Sequence, residues 1–261
     1  MRFLVSLVCI LLIFSCSDYQ KILKSDDPEF KYTQALTYYN NEDYSRSLSL
    51  FEQVLTAFSD RNRSKDVYYH YIYSNFHVKD YVSSAYHFNN FNLKFPESQK
   101  REEMEFMSAY CYYLQSPRYN LDQSKTYEAI EKLQLFVSNY SNSDRVIRAN
   151  ELILKLNQKI EKKDFEIVKS YYETGKFQSA IYAVDDFLNR FPETKLVEEL
   201  SFIQLQAYYE LGKNSIEEKK KQRIKEAIFA CDNFLLAFPL GKYKEDTKSI
   251  YEKLKEIENG L

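Results

Sequence analysis

The sequence predicts an all-α protein, a solenoid of about five helix hairpins, and three observations predict it. A phrase ending in an aromatic residue and then Pro or Ser recurs five times, at the anchors Ser59, Pro96, Ser141, Pro192 and Pro239. Ahead of each anchor the apolar residues fall at spacings of 3, 4 and 7, the stripe of an α-helix and not the alternation of a strand. Upstream of most of these stripes lies a second helical stretch that closes on paired aromatics, as in QALTYYNNEDY, KSYYETGKF and LQAYYELGK.

The downstream helix of each hairpin is the clearest. Twelve residues before the anchors stand Ser47, Ser84, Ala129, Ala180 and Ala227, a column of small residues expected where two helices touch. Eight before stand Phe51, Phe88, Leu133, Val184 and Cys231; five before stand Val54, Phe91, Phe136, Phe187 and Phe234; one before stand Phe58, Phe95, Tyr140, Phe191 and Phe238. Proline pushes the residue before it out of the helical region, so this helix is expected to end at the anchor, with Ser98 or Thr194 capping the helix that follows. The upstream helix is expected to end on Gly175 and Gly212, and on Asn41 in the first copy, where a C-cap calls for positive φ. Three stretches lengthen the period and are expected as insertions between helices: SPRYNLDQSKT at 116–126, a helical stretch around 144–163, and NSIEEKKKQRI at 214–224.

These copies resemble the tetratricopeptide repeat, with its small residue at Ala129, Ala180 and Ala227, its aromatic at Phe51 and Phe88, and its Pro at the anchor. The resemblance implies a right-handed superhelical solenoid whose hairpins bury their apolar faces against one another and leave a concave surface. The second small column of that repeat is filled here by Val54 and four phenylalanines, which implies wider helix spacing.

Composition narrows the function. A net charge of −2 argues against a nucleic-acid partner, and the basic run Lys219–Lys221 with Arg223 and Lys225, flanked by Glu217 and Glu218, reads as a solvated helix face. With only four glycines, at 175, 212, 241 and 260, no phosphate loop, dinucleotide fingerprint or nucleophile elbow can be written. His70 and His77 lie two turns apart, about 10 Å, too far to share a metal, and His87 would have to come across from the next helix. The expectation is a protein that is not an enzyme, with no cofactor and no metal. Most of the 24 Tyr and 19 Phe sit in repeat columns and read as core, leaving tyrosine tips on the upstream helices as the candidate peptide-binding residues.

The chain opens MRFLVSLVCILLIFSCSDYQ: one Arg, an apolar run of about twelve residues, then Ser15 and Cys16. Such a run suits a signal-peptide core and is too short to span a membrane. A small residue before Cys at its end resembles the bacterial lipobox, which implies cleavage before Cys16 and acylation of that cysteine; an ordinary secretory signal cut elsewhere is the alternative. Ser17, not Asp, follows the cysteine, which by resemblance to sorted lipoproteins implies an outer-membrane anchor facing the periplasm. The expected organisation is a signal peptide over 1–15, a lipidated linker over 16–28 and the solenoid over 29–261. Cys111 and Cys231 then remain, both expected as small buried hydrophobes too far apart in the array to bridge.

A lipobox followed almost at once by five such repeats resembles the BamD-type lipoproteins of outer-membrane β-barrel assembly, in their Bacteroidetes-like form. The similarity is carried by CSDYQKILKSDDPEFKYTQALTYYNNEDYSRSLSLFEQVL, by AYCYYLQSPRYNLDQSKTYEAIEKLQLFVSNYSNS and by KKDFEIVKSYYETGKFQSAIYAVDDFLNRFPET. It implies a scaffold that docks on the periplasmic domains of an Omp85-type β-barrel insertase and helps receive unfolded outer-membrane proteins, the N-terminal repeats meeting substrate and the C-terminal ones meeting partner subunits. Only Cys16 transfers as a functional residue. The alternative is another periplasmic repeat lipoprotein that organises envelope growth or a nutrient-uptake complex, because repeat folds are generic binding surfaces.

Overall fold

The structure is a computed structural model that describes residues 18–260. Among the described residues there are eleven long helices and no strand. They are α1 (Pro28–Asn40), α2 (Tyr44–Val54), α3 (Arg61–His77), α4 (Tyr81–Lys94), α5 (Arg101–Gln115), α6 (Ser124–Asn139), α7 (Arg145–Glu173), α8 (Phe177–Arg190), α9 (Val197–Lys213), α10 (Glu217–Ala237) and α11 (Lys244–Asn259). Consecutive pairs from α1/α2 to α9/α10 are the five predicted hairpins, and α11 follows the last of them. The chain forms two compact units, one running to Leu156 and the other beginning at Asn157, with the division inside α7.

The first four helices begin on aspartates. Asp27, Asp43, Asp60 and Asp80 accept from backbone amides in the first turns of α1, α2, α3 and α4, at 2.9, 3.3, 2.7 and 3.1 Å, and Pro28 opens α1 where a missing N–H costs nothing. Ser98 and Thr194 do not cap. Their hydroxyls accept from the amides of Lys100 and Leu196, while α5 and α9 begin later, at Arg101 and Val197. They belong to the turn, because a serine in that turn finds the second amide downstream before any helical amide.

The repeated phrase is a turn unit with a fixed geometry. Phe95, Tyr140, Phe191 and Phe238 all leave the helix at φ between −126° and −130° and ψ between 49° and 67°. Each donates its amide to the carbonyl four residues back and faces that residue's ring: Phe91–Phe95 at 5.1 Å, Phe136–Tyr140 at 5.3 Å, Phe187–Phe191 at 4.8 Å and Phe234–Phe238 at 4.9 Å. Tyr140 precedes Ser141 and still takes this shape, so the aromatic pair, and not proline, is what the four turns share. The first copy lacks the pair, since Val54 stands in the column. There α2 stops at Val54, and Phe58 turns instead onto the Tyr32 ring at 5.9 Å.

Three hairpins close with a left-handed residue, one position from where the sequence placed the first of them. Asn41 has φ −90°, and the positive φ falls on Glu42 (61°), with Lys79 (66°) and Gly175 (73°) as its counterparts. Each is flanked by the paired bonds of a Schellman turn, as in Gly175 N–H to Tyr172 O and Lys176 N–H to Tyr171 O. Gly212 is not such a cap; it lies inside α9, where a Cβ would sit 3.0 Å from Ile224 Cδ1 and 3.3 Å from the Arg223 carbonyl, so a close helix approach is what requires it. Of the three expected insertions only 116–123 is a loop. The stretch around 144–163 lengthens α7 to 29 residues, and most of 217–223 lengthens α10 to 21. Both are amphipathic or strongly charged helix formers that simply continue the adjoining helix.

The column of small residues is fully buried in all five copies, and Val54 and the four phenylalanines of the next column are buried as well. Each core cluster joins a hairpin to the first helix of its successor: Ile72, Phe88 and Phe91 with Met104 and Cys111 in the first unit, Val184 and Phe187 with Leu200 and Ile203 in the second. Truncating one of these phenylalanines to alanine removes about 3–5 kcal/mol. Cys111 and Cys231 are buried, free thiols, and burial pushes both up to about 12.

Candidate functional site

Cys16 lies outside the described residues. The chain just after it is held on the first hairpin: residues 18–23 are helical, Ile22 is buried, and the Tyr19 hydroxyl donates to the Arg46 carbonyl at 3.2 Å while its ring meets Tyr38 edge-on at 5.5 Å. The Arg46 guanidinium covers both rings, at 5.3 and 5.6 Å. Among the described residues no helix is long and apolar enough to cross a membrane.

The upstream helices of the first unit, α1, α3 and α5, share a seam of aromatic and charged side chains. The Tyr32 hydroxyl donates to the Asp66 carboxylate, and Arg63 lies 4.2 Å above the Tyr32 ring while pairing with Glu29 at 2.7 Å. Farther along, Tyr69 and Tyr73 both donate to Glu103 of α5, Tyr69 at 3.1 Å, and Lys100 sits 4.1 Å over the Tyr69 ring. Burial pushes the Tyr39 and Tyr69 hydroxyls up to about 12 and Tyr73 higher still, with the Glu103 carboxylate adding to the rise at Tyr69 and Tyr73. These phenols are neutral donors. Tyr32, Tyr69 and Tyr73 are thus committed to the seam, and Tyr38, Tyr68 and Tyr71 to other contacts, which leaves Phe30 and, on α4, Tyr86 as the exposed Phe and Tyr rings of the stretch from Phe30 to Phe95.

The three histidines stand in different settings. His70 lies between the Tyr39 and Phe51 rings with Nδ1 2.9 Å from the Asp66 carbonyl. His77 is exposed and stacked on Tyr44 at 4.0 Å. His87, on α4, pairs with the Tyr68 hydroxyl at 2.9 Å and the Tyr71 hydroxyl at 3.4 Å. Burial lowers the pKa of His77 and of His87, with Lys94 adding to the fall at His87, so both are neutral at pH 7. No group of His, Cys, Asp and Glu among the described residues converges as metal ligands do.

In the second unit the surface is of another kind. A groove of about 350 Å³ opens among α8, α9 and α10, lined by Asp185, by Gln204, Leu205 and Tyr208, and by Glu226, Phe229, Asn233 and Phe234. A smaller hollow of about 260 Å³ lies among α7, α9 and Tyr243, whose ring stacks on Phe202 at 4.3 Å. The sequence reading missed both, because a groove is made by residues that are absent from three helices at once, and columns record only what is present. The basic segment does read as expected: Lys219, Lys221 and Lys225 are exposed, Lys220 pairs with Glu217 at 3.7 Å, and Arg223 donates to the Ser215 hydroxyl at 2.8 Å.

Comparison with known families now has a fold to rest on. The model of the YfiO family, described as outer membrane lipoprotein, matches residues 24–223 and again 156–259. The chain belongs to this family. That YfiO model lies on the chain twice, overlapping over 156–223, as a repeat protein allows when one hairpin can stand for the next. Among YfiO relatives, the chain is 27% identical over 241 residues to a BamD outer membrane protein assembly factor of Aquifex aeolicus, covering 85% of this chain and 79% of that one. It is 22% identical over 214 residues to the outer membrane protein assembly factor BamD of Pasteurella multocida, covering 78% and 82%. A third similarity, to BamD of Caulobacter vibrioides, is 25% over 142 residues and covers 54% and 47%.

Proposed function

We propose that this protein is a lipid-anchored, periplasm-facing scaffold of outer-membrane β-barrel assembly, which docks on an Omp85-type insertase and helps receive unfolded barrel proteins. The observation that carries the reading is the family match from residue 24 to 259, together with relatives named as outer membrane protein assembly factors over more than three quarters of the chain. Acylation at Cys16 supplies the anchor, and two or more acyl chains hold where one holds only marginally. Such a protein acts by holding partners, and tethering raises the effective concentration of whatever it holds at the membrane. We place partner docking on the C-terminal helices, from the inserted segment 214–223 onward, and extended substrate segments against the first two hairpins, between Phe30 and Phe95.

Depletion followed by quantitative outer-membrane proteomics tests the reading. Barrel proteins are expected to fall together. Normal barrel levels with failing peptidoglycan synthesis or nutrient uptake would replace it with the organiser of envelope growth or uptake. Mass spectrometry of the mature N-terminus tests the anchor: an acylated Cys16 is expected, with Cys16→Ser released into the soluble periplasm.

A further inference from the structure

The groove of the second unit combines two properties that surface helices rarely place together. Its α10 wall follows a helical stripe from Glu226 through Phe229, Asn233 and Phe234 to Ala237, about three turns or roughly 17 Å. Small Ala230 and Ala237 keep that wall open, and Leu205 of α9 lines it as well. The apolar surface runs on beyond it, with Phe229 66% exposed, Leu236 82% and Leu240 94%. Leu240 stands in a turn whose counterparts after the aromatic-Pro or aromatic-Ser step are Glu97, Asn142 and Glu193, so this copy alone among the four carries an apolar residue there. Exposed apolar side chains on the wall of a groove and on the helix and turn that continue it are the mark of an interaction surface.

The second property is uncompensated negative charge. Asp185 accepts from Gln204 at 2.6 Å and Glu226 from Gln222 at 2.9 Å, and neither carboxylate is in an ion pair among the described residues. The two reach the groove from different helices, α8 and α10, and both act on the Tyr208 hydroxyl between them: its pKa is raised first by burial, then by Asp185 and by Glu226. One end of an apolar groove is thus a corner with two carboxylates, a phenol and the exposed Phe229 ring. Such a corner complements an ammonium or guanidinium group, which can be paired by the carboxylates and lie against a ring face.

We propose that the α8–α9–α10 groove binds an amphipathic helix of a partner protein that presents a Lys or Arg to Asp185 and Glu226 and a large apolar side chain to the exposed Phe229 ring. A helix suits the groove because a straight channel of three turns along α10 takes anchors at i, i+3, i+4 and i+7. The inference deepens the partner docking placed on the C-terminal helices and rests on that reading; tested on the isolated chain, its failure is distinguishable from a failure of the assembly role, which is read from barrel levels in cells.

The test is fluorescence anisotropy on the full mature chain with a labelled fifteen-residue amphipathic peptide of Leu, Ala and Lys, and with its twin carrying Glu in place of Lys. The Lys peptide is expected to bind and to weaken as salt rises from about 50 to about 500 mM, because the charged corner is solvent-exposed. Asp185→Asn with Glu226→Gln, and separately Phe229→Ala, are each expected to weaken it about tenfold, while Ile147→Ala, an exposed apolar residue on α7 outside either binding region, leaves it unchanged. Circular dichroism confirms that the variants fold, and Phe229→Leu gives a milder second variant in the groove wall. Equal binding of the Glu twin, no effect of the double substitution, or an equal loss in Ile147→Ala would overturn the proposal. So would concentration-dependent dimerisation that Phe229→Ala abolishes, which would put a second copy in the groove.

Discussion

The three left-handed hairpin closures offer a matched experiment, because two carry side chains and one does not. Gly175 has φ 73° and nothing within 4 Å of the Cβ it lacks, so Gly175→Ala meets no clash and its cost is that of the backbone alone. An L-residue in this region is disfavoured by about 1–2 kcal/mol, and removing a glycine recovers about 0.4–1 kcal/mol by restricting the unfolded chain. The net expectation is a loss of about 0.5–1 kcal/mol. Lys79, exposed and at φ 66°, should show the opposite sign: Lys79→Gly relieves the same strain and gains a similar amount. For the shorter second unit, which holds Gly175, that corresponds to shifts of about 4–8 °C per kcal/mol, and for the longer first unit, which holds Lys79, to about 2–4 °C, readable by circular dichroism at 222 nm in thermal and urea melts. Urea slopes show whether each unfolding remains two-state, which arrays of hairpins do not always obey. A Gly175→Ala variant as stable as the wild type, or a Lys79→Gly variant that melts earlier, would refute the assignment of these residues to strained caps.

Three further outcomes are expected. Ala180→Asp should destabilise the second unit by several kcal/mol, read as a fall in its urea midpoint, since Ala180 on α8 is fully buried and offers a carboxylate no partner; an unmoved midpoint would show that the small column does not pack. Cys111 and Cys231, with thiols raised to about 12 by burial, should resist a thiol reagent at pH 8 and react at once in denaturant. Because their folded pKa lies above the unfolded value of 9.0, the stability they lend is complete below pH 9 and drains away from pH 9 towards 12. At Glu97 the sign is reversed. Its bidentate bonds from Arg61, at 3.0 Å each, hold its carboxyl down at about 2, so its contribution is present above 4.5 and lost as pH falls towards 2, and Arg61→Gln should return its NMR titration midpoint to the ordinary range.

How legible this protein is from its residues depends on whether a feature is written along the chain or across it. The downstream helices of the last four copies were legible to within two residues of their ends, because their columns repeat and repetition cancels accident, whereas in the first copy, with Val54 in place of a phenylalanine, α2 stops five residues short of Ser59. Helix ends were less so: Asn41 and Glu42 are neighbours, and only the hydrogen bonds from Glu42 and Asp43 back to Tyr39 and Tyr38 decide which of them turns left-handed. The aspartate caps at 27, 43, 60 and 80 are legible in principle, since Asp stands directly before each of the four helices. The segment 144–163 reads as helical and is so, extending α7, whereas 214–224 reads only as an insertion although most of it belongs to α10, because a longer period looks the same whether a loop or an existing helix absorbs it. At the candidate site, Tyr69 and Tyr73 of α3 read as free until Glu103, 34 and 30 residues on, is seen to take both hydroxyls.

The packing of each unit also bears on how such a chain comes to be folded at all. Within a unit, helices touch chiefly their immediate neighbours in the chain, with a few contacts reaching one helix farther, as between α1 and α3 and between α9 and α11. Almost every tertiary contact therefore closes a short loop, which places the protein among those of low contact order, whose folding rates lie in the fast range for their size. A polypeptide of this construction that emerges N-terminus first has no need to wait for its far end. Each hairpin, once formed, finds the surface it must bury against already in place behind it, so assembly can keep pace with delivery and leaves little apolar chain exposed at any moment.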